Sequence, residues 1–290
     1  MLNNITVALS EDIPALSNLY ATAFNAGANE CERFFDMRFI PENTLVFRRN
    51  DEILAALYLW YGEVVCAGKR YPADYIYAAA TCADMRNQGI MAQLIDAAAE
   101  LSLTRGRHFL VLSPANEKLY EYYGTHGFKT AFYQKELTLK RNVLSLIADK
   151  KSEDFVVLSA GDIYTLRETL FIRDDGFSWD SAALEYANAY LTDGGKLITL
   201  SYGDKPCAYA FIDGNVVLEC VTTSSDFPAL VAKILQASPA DSFRFMLPPN
   251  FPLSADGFVL RPAGMLRPLT DDSNDIANQL RNAYLGLTLA

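Results

Sequence analysis

The sequence predicts an α+β protein with a mixed sheet, built as two consecutive copies of one fold. The first reason is a strand, loop and helix unit at residues 75–104, in which an apolar run ends at a polar turn and Gly89 precedes a helical pattern. The second is the order β-α-α-β-β-β-α-β-α-β over residues 5–139. The third is a faint repeat, since the Asp-Ile-x-x-Leu motif of residues 12–16 recurs at residues 162–166.

The elements of the first copy follow from local patterns. Ser10 can cap a helix whose apolar positions, Ile13, Leu16, Tyr20 and Phe24, lie on one face. A second short helix is predicted at residues 31–39, and Pro41 ends it. The remaining predictions are strands 5–9, 44–48, 53–65, 71–81, 109–113 and 127–139, with helices 90–104 and 116–124.

The second copy repeats this order in weaker form. Gly127-Phe128 is echoed by Gly257-Phe258, and residues 140–153 are predicted to connect two domains, 1–141 and 152–290. We predict helices at about 162–172, 179–192 and 226–236, and strands at 196–202, 206–213, 216–222, 243–247 and 257–268.

Composition excludes several functional classes. The formal net charge of −10 argues against a nucleic-acid partner and mildly favours cationic substrates, although it also serves solubility alone. No apolar run is long enough for a membrane helix, and the N-terminus lacks a secretory pattern. The five cysteines have no Cys-x-x-Cys spacing, and only two histidines are present. We therefore expect a cytoplasmic protein with reduced thiols, no membrane partner and no metal.

The loop before Gly89 is the first candidate site. The start of a helix has free backbone N–H groups and a positive dipole end, and a glycine there allows a ligand close to the backbone. Phosphate or pyrophosphate is the natural ligand of such a site. The alternative is a turn that binds nothing, because the loop carries neither the Walker nor the dinucleotide-binding fingerprint.

Two motifs resemble those of the GNAT N-acetyltransferases. Residues 86–91, Arg-Asn-Gln-Gly-Ile-Met, resemble the Arg/Gln-x-x-Gly-x-Gly/Ala loop, with Met91 in place of the usual small residue. Residues 116–128 resemble the downstream Asn-x-x-Ala-x-x-Leu-Tyr-x-x-x-Gly-Phe pattern, with Leu119 and Tyr122 at the alanine and leucine places. The Tyr-Gly-x-x-Gly-Phe form and the tandem arrangement also resemble the Eis-like (enhanced intracellular survival) branch.

This resemblance implies acetyl-CoA as acyl donor and a set of site residues. Tyr123 would be the general acid that protonates the coenzyme A thiolate; the alternative is an aromatic core residue. The residues expected to hold the coenzyme are Ala79, Ala80 and Thr81 on the strand, Arg86, Asn87, Gln88, Gly89, Ile90, Met91 and Ala92 at the loop, and Asn116.

The second copy lacks these motifs, because residues 222–228 contain no glycine and Met246 and Leu253 stand at the places of Asn116 and Tyr123. It is therefore expected to pack against the first copy and shape the acceptor cleft. The candidates for a general base stay open: Glu30, Glu32, Asp74 through water, or the carboxylate of Ala290, and the alternative is a proton relayed by solvent.

Three functional hypotheses remain at this point. The first is an acetyltransferase for a small-molecule or peptide amine, the second a non-catalytic acyl-CoA sensor, and the third a scaffold that binds no nucleotide. The acceptor is left open, and a homo-oligomer is possible.

Overall fold

A computed structural model describes residues 4–149, 158–172, 175–251 and 257–287. The first half of the chain follows the predicted order closely. Its elements are β1 (Ile5–Val7), α1 (Ile13–Phe24), α2 (Ala28–Arg38), β2 (Thr44–Arg49), β3 (Glu52–Cys66), β4 (Lys69–Thr81), α3 (Ile90–Thr104), β5 (Phe109–Leu112), α4 (Glu117–Thr125) and β6 (Lys129–Lys140).

The second half repeats most of this order. Its elements are α5 (Arg141–Ile147), α6 (Ala160–Leu170), β7 (Gly176–Trp179), α7 (Ser181–Gly194), β8 (Lys196–Tyr202), β9 (Lys205–Asp213), β10 (Val216–Val221), α8 (Phe227–Ala237), β11 (Ser242–Leu247), β12 (Val259–Pro268) and α9 (Asp271–Gln279). In the sequence repeat, Val156 and Val157 match Thr6 and Val7, and Leu253 matches Tyr123. Val156, Val157 and Leu253 lie outside the described ranges.

The described strands form one sheet that runs through both halves. Its order is β1-β2-β3-β4-β5-β12-β6-β11-β10-β9-β8, and β7 pairs with β3 beside this path. The last strand of each half therefore lies in the other half's part of the sheet, because β12 pairs with β5 while β6 pairs with β11. The predicted units 1–141 and 152–290 thus share one sheet in space.

Helices cover both faces of this sheet. Apolar side chains of α1, α2, α6 and α7 pack into one core that spans both halves. On the opposite face, α3 and α4 cover the first half, while α5 and α8 cover the second. None of the described helices is long and apolar enough to span a membrane.

Three elements differ from the predictions. Residues 141–147, predicted as part of a connection, form α5, because Leu144 is fully buried against α8 and fixes that face of the helix. Two elements were not predicted. They are β7, whose four residues are all buried, and α9, which the side chain of Thr270 caps through the Ser273 N–H.

Candidate functional site

The strands β4 and β5 separate in the middle of the sheet. They pair in parallel only from Ala73↔Phe109 to Tyr75↔Val111. Beyond Tyr75, β4 continues to Thr81 and pairs among the described strands with β3 alone, while β5 ends at Leu112. The edge of β4 that faces β5 therefore offers backbone N–H and C=O groups to a ligand.

A β-bulge lies within this free part of β4. Tyr77 pairs with Tyr58 and Ala80 pairs with Ala56, so that Ala78 and Ala79 together face a single residue of β3. Ala78 has a φ of 47°, which is unusual for a residue with a side chain. A bulge redirects the backbone and is common beside active sites. Of the predicted coenzyme residues, Ala79 lies in this bulge, and Ala80 and Thr81 follow it.

The N-terminus of α3 is open as the loop motif predicted. Gly89 precedes the helix with a φ of 74°, and no side chain caps it. The first helical hydrogen bond joins Gln93 N–H to the Gly89 carbonyl at 3.2 Å, so the N–H groups of Ile90, Met91 and Ala92 have no acceptor within the helix. A Cβ placed on Gly89 would meet nothing within 4 Å. There is therefore room for an anion directly above these donors.

The loop that leads to α3 is exposed and is held by its own side chains. Arg86 donates through Nε to the Thr81 carbonyl at 3.2 Å, and Gln88 donates to the Asp84 carbonyl at 3.3 Å. Asn87 has a φ of 60°, which asparagine tolerates better than most residues. These contacts fold the loop back onto the end of β4, and they bring the predicted residues Arg86, Asn87 and Gln88 next to Thr81.

Tyr123 lies on α4, on the same face of the sheet as α3. Its side chain is buried among the residues that pack under both helices, and its ring lies 5.6 Å from that of Phe128. Burial raises the pKa of Tyr123 to about 12. Burial also raises the pKa of Tyr75, the last residue of β4 that pairs with β5. Tyr123 thus lies in the same core cluster as the buried face of α3.

Asn116 has a structural task that the motif did not reveal. It is the N-cap of α4, and its Oδ1 accepts the N–H of Leu119 at 3.1 Å. The helix therefore begins one residue later than predicted. The amide nitrogen of this exposed side chain is not needed for the cap, so contact between Asn116 and a coenzyme stays a prediction.

The four candidate bases have different environments. Asp74 is buried, and its two carboxylate oxygens accept from Ser102 at 2.7 Å and from Arg107 at 2.9 Å, which assigns it a structural role. Glu32 lines a surface groove between α1 and α2, and Glu30 lines another beside α7. Ala290 lies outside the described residues.

An aromatic cluster behind the bulge was not predicted as part of the site. The hydroxyls of Tyr20 and Tyr77 lie 3.0 Å apart, and the Tyr77 ring stacks on Trp60 with centroids separated by 4.0 Å. Burial raises the pKa of both phenols well above the usual value. The alternation Tyr-Ile-Tyr at residues 75–77 is the sequence signal that could have revealed this wall.

The second half contributes to the same wall through β7. Trp179 packs against Tyr75 with ring centroids 4.8 Å apart. No sequence motif in the first half indicates this contact, because β7 reaches β3 only through the tertiary fold.

Comparisons with known proteins agree with this geometry. Residues 4–131 match the family model described as an acetyltransferase (GNAT) domain. No curated protein matches the sequence significantly. A solved structure from Enterococcus faecalis V583, described as a conserved protein of unknown function and probable N-acyltransferase, has a TM-score of 0.72 at 18% identity, over 91% of this chain and 72% of that one.

Two further structures share the fold. A GCN5-related N-acetyltransferase from Anabaena variabilis ATCC 29413 has a TM-score of 0.73 at 17% identity, covering 93% of this chain and 73% of that one. Eis1 from Mycobacterium abscessus has a TM-score of 0.68 at 14% identity, covering 92% of this chain and 74% of that one. Both predictions made from the two motifs, the family and the Eis-like fold, are confirmed. Residues 4–131 are therefore identified as a GNAT acetyltransferase domain, and the chain shares the fold of these solved structures.

Proposed function

We propose that the protein transfers the acetyl group of acetyl-CoA to a primary amine. One observation carries this proposal: the gap between β4 and β5 opens beside the uncapped N-terminus of α3, with Tyr123 on the same face. Backbone donors for a diphosphate, a free strand edge for an amide-containing arm and a protonated phenol are the parts that acyl transfer from a coenzyme A thioester needs.

The coenzyme would lie along the end of β4 and the loop that follows. The backbone of Ala79, Ala80 and Thr81 would bind the pantetheine arm and polarise the thioester carbonyl. The N–H groups from residue 86 to residue 92 would bind the pyrophosphate, with the largest share from those without a helical acceptor. Asn116 would add its free amide nitrogen.

Tyr123 would act as the general acid. The neutral amine attacks the thioester carbon, the C–N bond forms, and the C–S bond breaks with its electrons on sulfur. The thiolate takes the phenolic proton, and the proton lost by the amine returns to the phenolate through solvent. Burial raises the pKa of Tyr123 to about 12, so the phenol holds its proton at neutral pH, although the same shift makes it a weaker acid than a free phenol.

The acceptor would be a small-molecule or peptide amine that approaches from the face covered by α1 and α2. Glu32 and Asp36 line the groove between these helices, and the chain carries a net charge of −10, so an amine cation is attracted to this side. The same charge makes a nucleic-acid partner unfavourable. We also propose a cytoplasmic protein organised as the units 1–141 and 152–290, each of which lends a strand to the other.

The test is calorimetric titration with acetyl-CoA of the wild type and of Gly89→Asp. The variant places a carboxylate and a strained backbone at the proposed pyrophosphate site, and it is expected to lose binding. Gly106→Asp is the matched control, because Gly106 lies just past the other end of α3 with a φ of 73° and with nothing within 4 Å of its Cβ. It should bind acetyl-CoA as the wild type does.

A screen of amines with a thiol-detecting assay follows the titration. Release of coenzyme A that depends on the added amine would support the transferase. Tight binding of acetyl-CoA without release of coenzyme A in the presence of any amine would instead support the sensor hypothesis. If the folded wild type does not bind acetyl-CoA, the proposed site is refuted.

A further inference from the structure

The second half contains a buried ion pair that the proposed chemistry does not use. Arg167 on α6 and Glu219 on β10 have side chains that are 1% and 0% exposed. Arg167 Nε donates to both carboxylate oxygens, at 3.0 and 3.3 Å. The hydroxyls of Tyr209 and Tyr284 donate to the same carboxylate at 2.8 and 3.2 Å. Such a pair is costly to desolvate, so stability alone explains it poorly.

This ion pair holds the backbone of a segment near the C-terminus, residues 283–287. The Leu285 carbonyl accepts from Arg167 at 3.1 Å and from Trp179 Nε1 at 3.1 Å. A Cβ on Gly286 would lie 2.4 Å from a Glu219 oxygen and 2.7 Å from an Arg167 nitrogen. The segment therefore passes directly against the charges, where only a glycine fits.

The same segment is fixed to both halves of the molecule. The Ala283 carbonyl accepts the N–H of Tyr133 on β6 at 2.8 Å, and the Tyr284 carbonyl accepts the N–H of Phe177 on β7 at 2.9 Å. Trp179, the second donor to Leu285, packs on Tyr75 at the point where β4 and β5 separate. A continuous chain of contacts thus leads from the ion pair to the gap in the first half.

The position of Glu219 also matches the site of the first half. The pairing of β10 with β9 is shifted between Val217 and Glu219, so β10 has a bulge near its end as β4 does. The parallel pairing of β10 with β11 stops at Val217↔Phe245, as that of β4 with β5 stops at Tyr75. The second half therefore holds an internal ion pair where the first half has its open site.

We propose that Glu219 is a positioning residue for acyl transfer. Through Arg167 it holds residues 283–287 and Trp179 against Tyr75, and it thereby sets the acceptor-side wall of the gap. This inference rests on the proposed function, and it assigns the motif-free second half a role in acceptor binding without any contact to the coenzyme.

The main test is the double variant Arg167→Met/Glu219→Leu, compared with the wild type. Apolar residues of similar volume usually preserve the fold when they replace a buried ion pair, but they cannot bind the Leu285 carbonyl. Hydrogen exchange at the amides of residues 283–287 should accelerate at least about tenfold. The KM for the amine found in the screen should rise between about 10- and 100-fold, while the dissociation constant of acetyl-CoA stays within about twofold.

Two single variants make the test specific. Trp179→Phe keeps an aromatic ring against Tyr75 but removes one donor to Leu285, so it should shift exchange and KM in the same direction; it also serves if the double variant does not fold. Tyr209→Phe removes a hydrogen bond to Glu219 but leaves both donors to Leu285 in place. It is the matched control and should behave as the wild type does.

Unchanged exchange at residues 283–287 in folded variants would overturn the proposal. So would an equal loss of amine and coenzyme affinity, because that pattern indicates general loosening. If the wild type neither binds acetyl-CoA nor releases coenzyme A, the proposed function has failed. The exchange measurement still decides whether Glu219 and Arg167 hold the segment.

Discussion

Leu112 of β5 lies directly opposite Met265 of β12, although the two residues belong to different halves of the chain. Beside this pair, Gly264 faces Phe132 of β6. A Cβ on Gly264 would lie 2.6 Å from a Leu285 methyl group, 3.1 Å from the Leu112 carbonyl oxygen and 3.3 Å from the Phe132 ring. At Gly264, β12 thus passes β5, β6 and residues 283–287 so closely that no side chain fits.

Gly264→Ala is therefore expected to lower the free energy of unfolding by about 1–3 kcal/mol, because the new methyl group forces its neighbours apart. Urea unfolding followed by circular dichroism measures the change. Gly124→Ala in α4 is the control, since its Cβ meets nothing within 4 Å and alanine favours a helix by about 0.5–1 kcal/mol. Equal stability of Gly264→Ala and the wild type would contradict the inference that no side chain fits at this position.

Tyr123→Phe should lower kcat by about 10²–10³-fold and leave the dissociation constant of acetyl-CoA unchanged, because it removes only the proton donor. Steady-state kinetics and calorimetry on one preparation separate the two effects. Tyr122→Phe is the matched control, since Tyr122 is the neighbouring residue on the same helix and its ring contacts that of Tyr123. Similar losses in both variants would remove the special role of Tyr123.

The pH dependence of the reaction gives an independent check. Burial raises the pKa of Tyr123 to about 12, so the phenol stays protonated, and able to donate, at every pH below that value. The rate should therefore rise with pH as the amine loses its proton, and it should not fall between pH 8 and about 10. An alkaline decline in this window that disappears in Tyr123→Phe would show that the pKa of Tyr123 is lower in the working enzyme.

Asn116 has two separable tasks, a cap and a predicted coenzyme contact. Asn116→Ala removes the acceptor for the Leu119 N–H and should cost about 1 kcal/mol of stability. Asn116→Asp keeps an oxygen acceptor, so stability should return. If the amide nitrogen binds the coenzyme, Asn116→Asp will still bind acetyl-CoA more weakly, and calorimetry measures this. Full affinity of Asn116→Asp for acetyl-CoA would leave the helix cap as the one supported role of Asn116.

Local patterns predicted most elements because each depends on residues close in sequence. The helix predicted at 90–104 is observed at Ile90–Thr104, and the strand predicted at 53–65 is observed at Glu52–Cys66. The loop motif also predicted the uncapped start of α3, since spacing along a strand, loop and helix determines where the helix begins. The two unpredicted elements had local signals of different strength. Residues 176–179 form a run of only four, and Thr270 precedes two acidic residues as a helix cap does.

The partners of each strand could not be predicted in the same way. Nothing in the pattern of residues 259–268 indicates that they insert between β5 and β6, because strand pairing is decided by tertiary contacts. The same holds for Glu219, a lone acidic residue in an apolar strand whose counterion lies on α6. The packing of Trp179 in the second half against Tyr75 in the first therefore emerges only in three dimensions.

The exchange of β6 and β12 has a consequence for biosynthesis. The ribosome completes β5 long before it begins β12, so the first half waits with one strand edge unpaired while the rest of the chain is made. Contacts between residues so distant in sequence form slowly, and an exposed edge recruits other strands in the meantime. We expect efficient production to depend on chaperones or on low temperature. Interrupted translation should yield aggregates and not a smaller active enzyme.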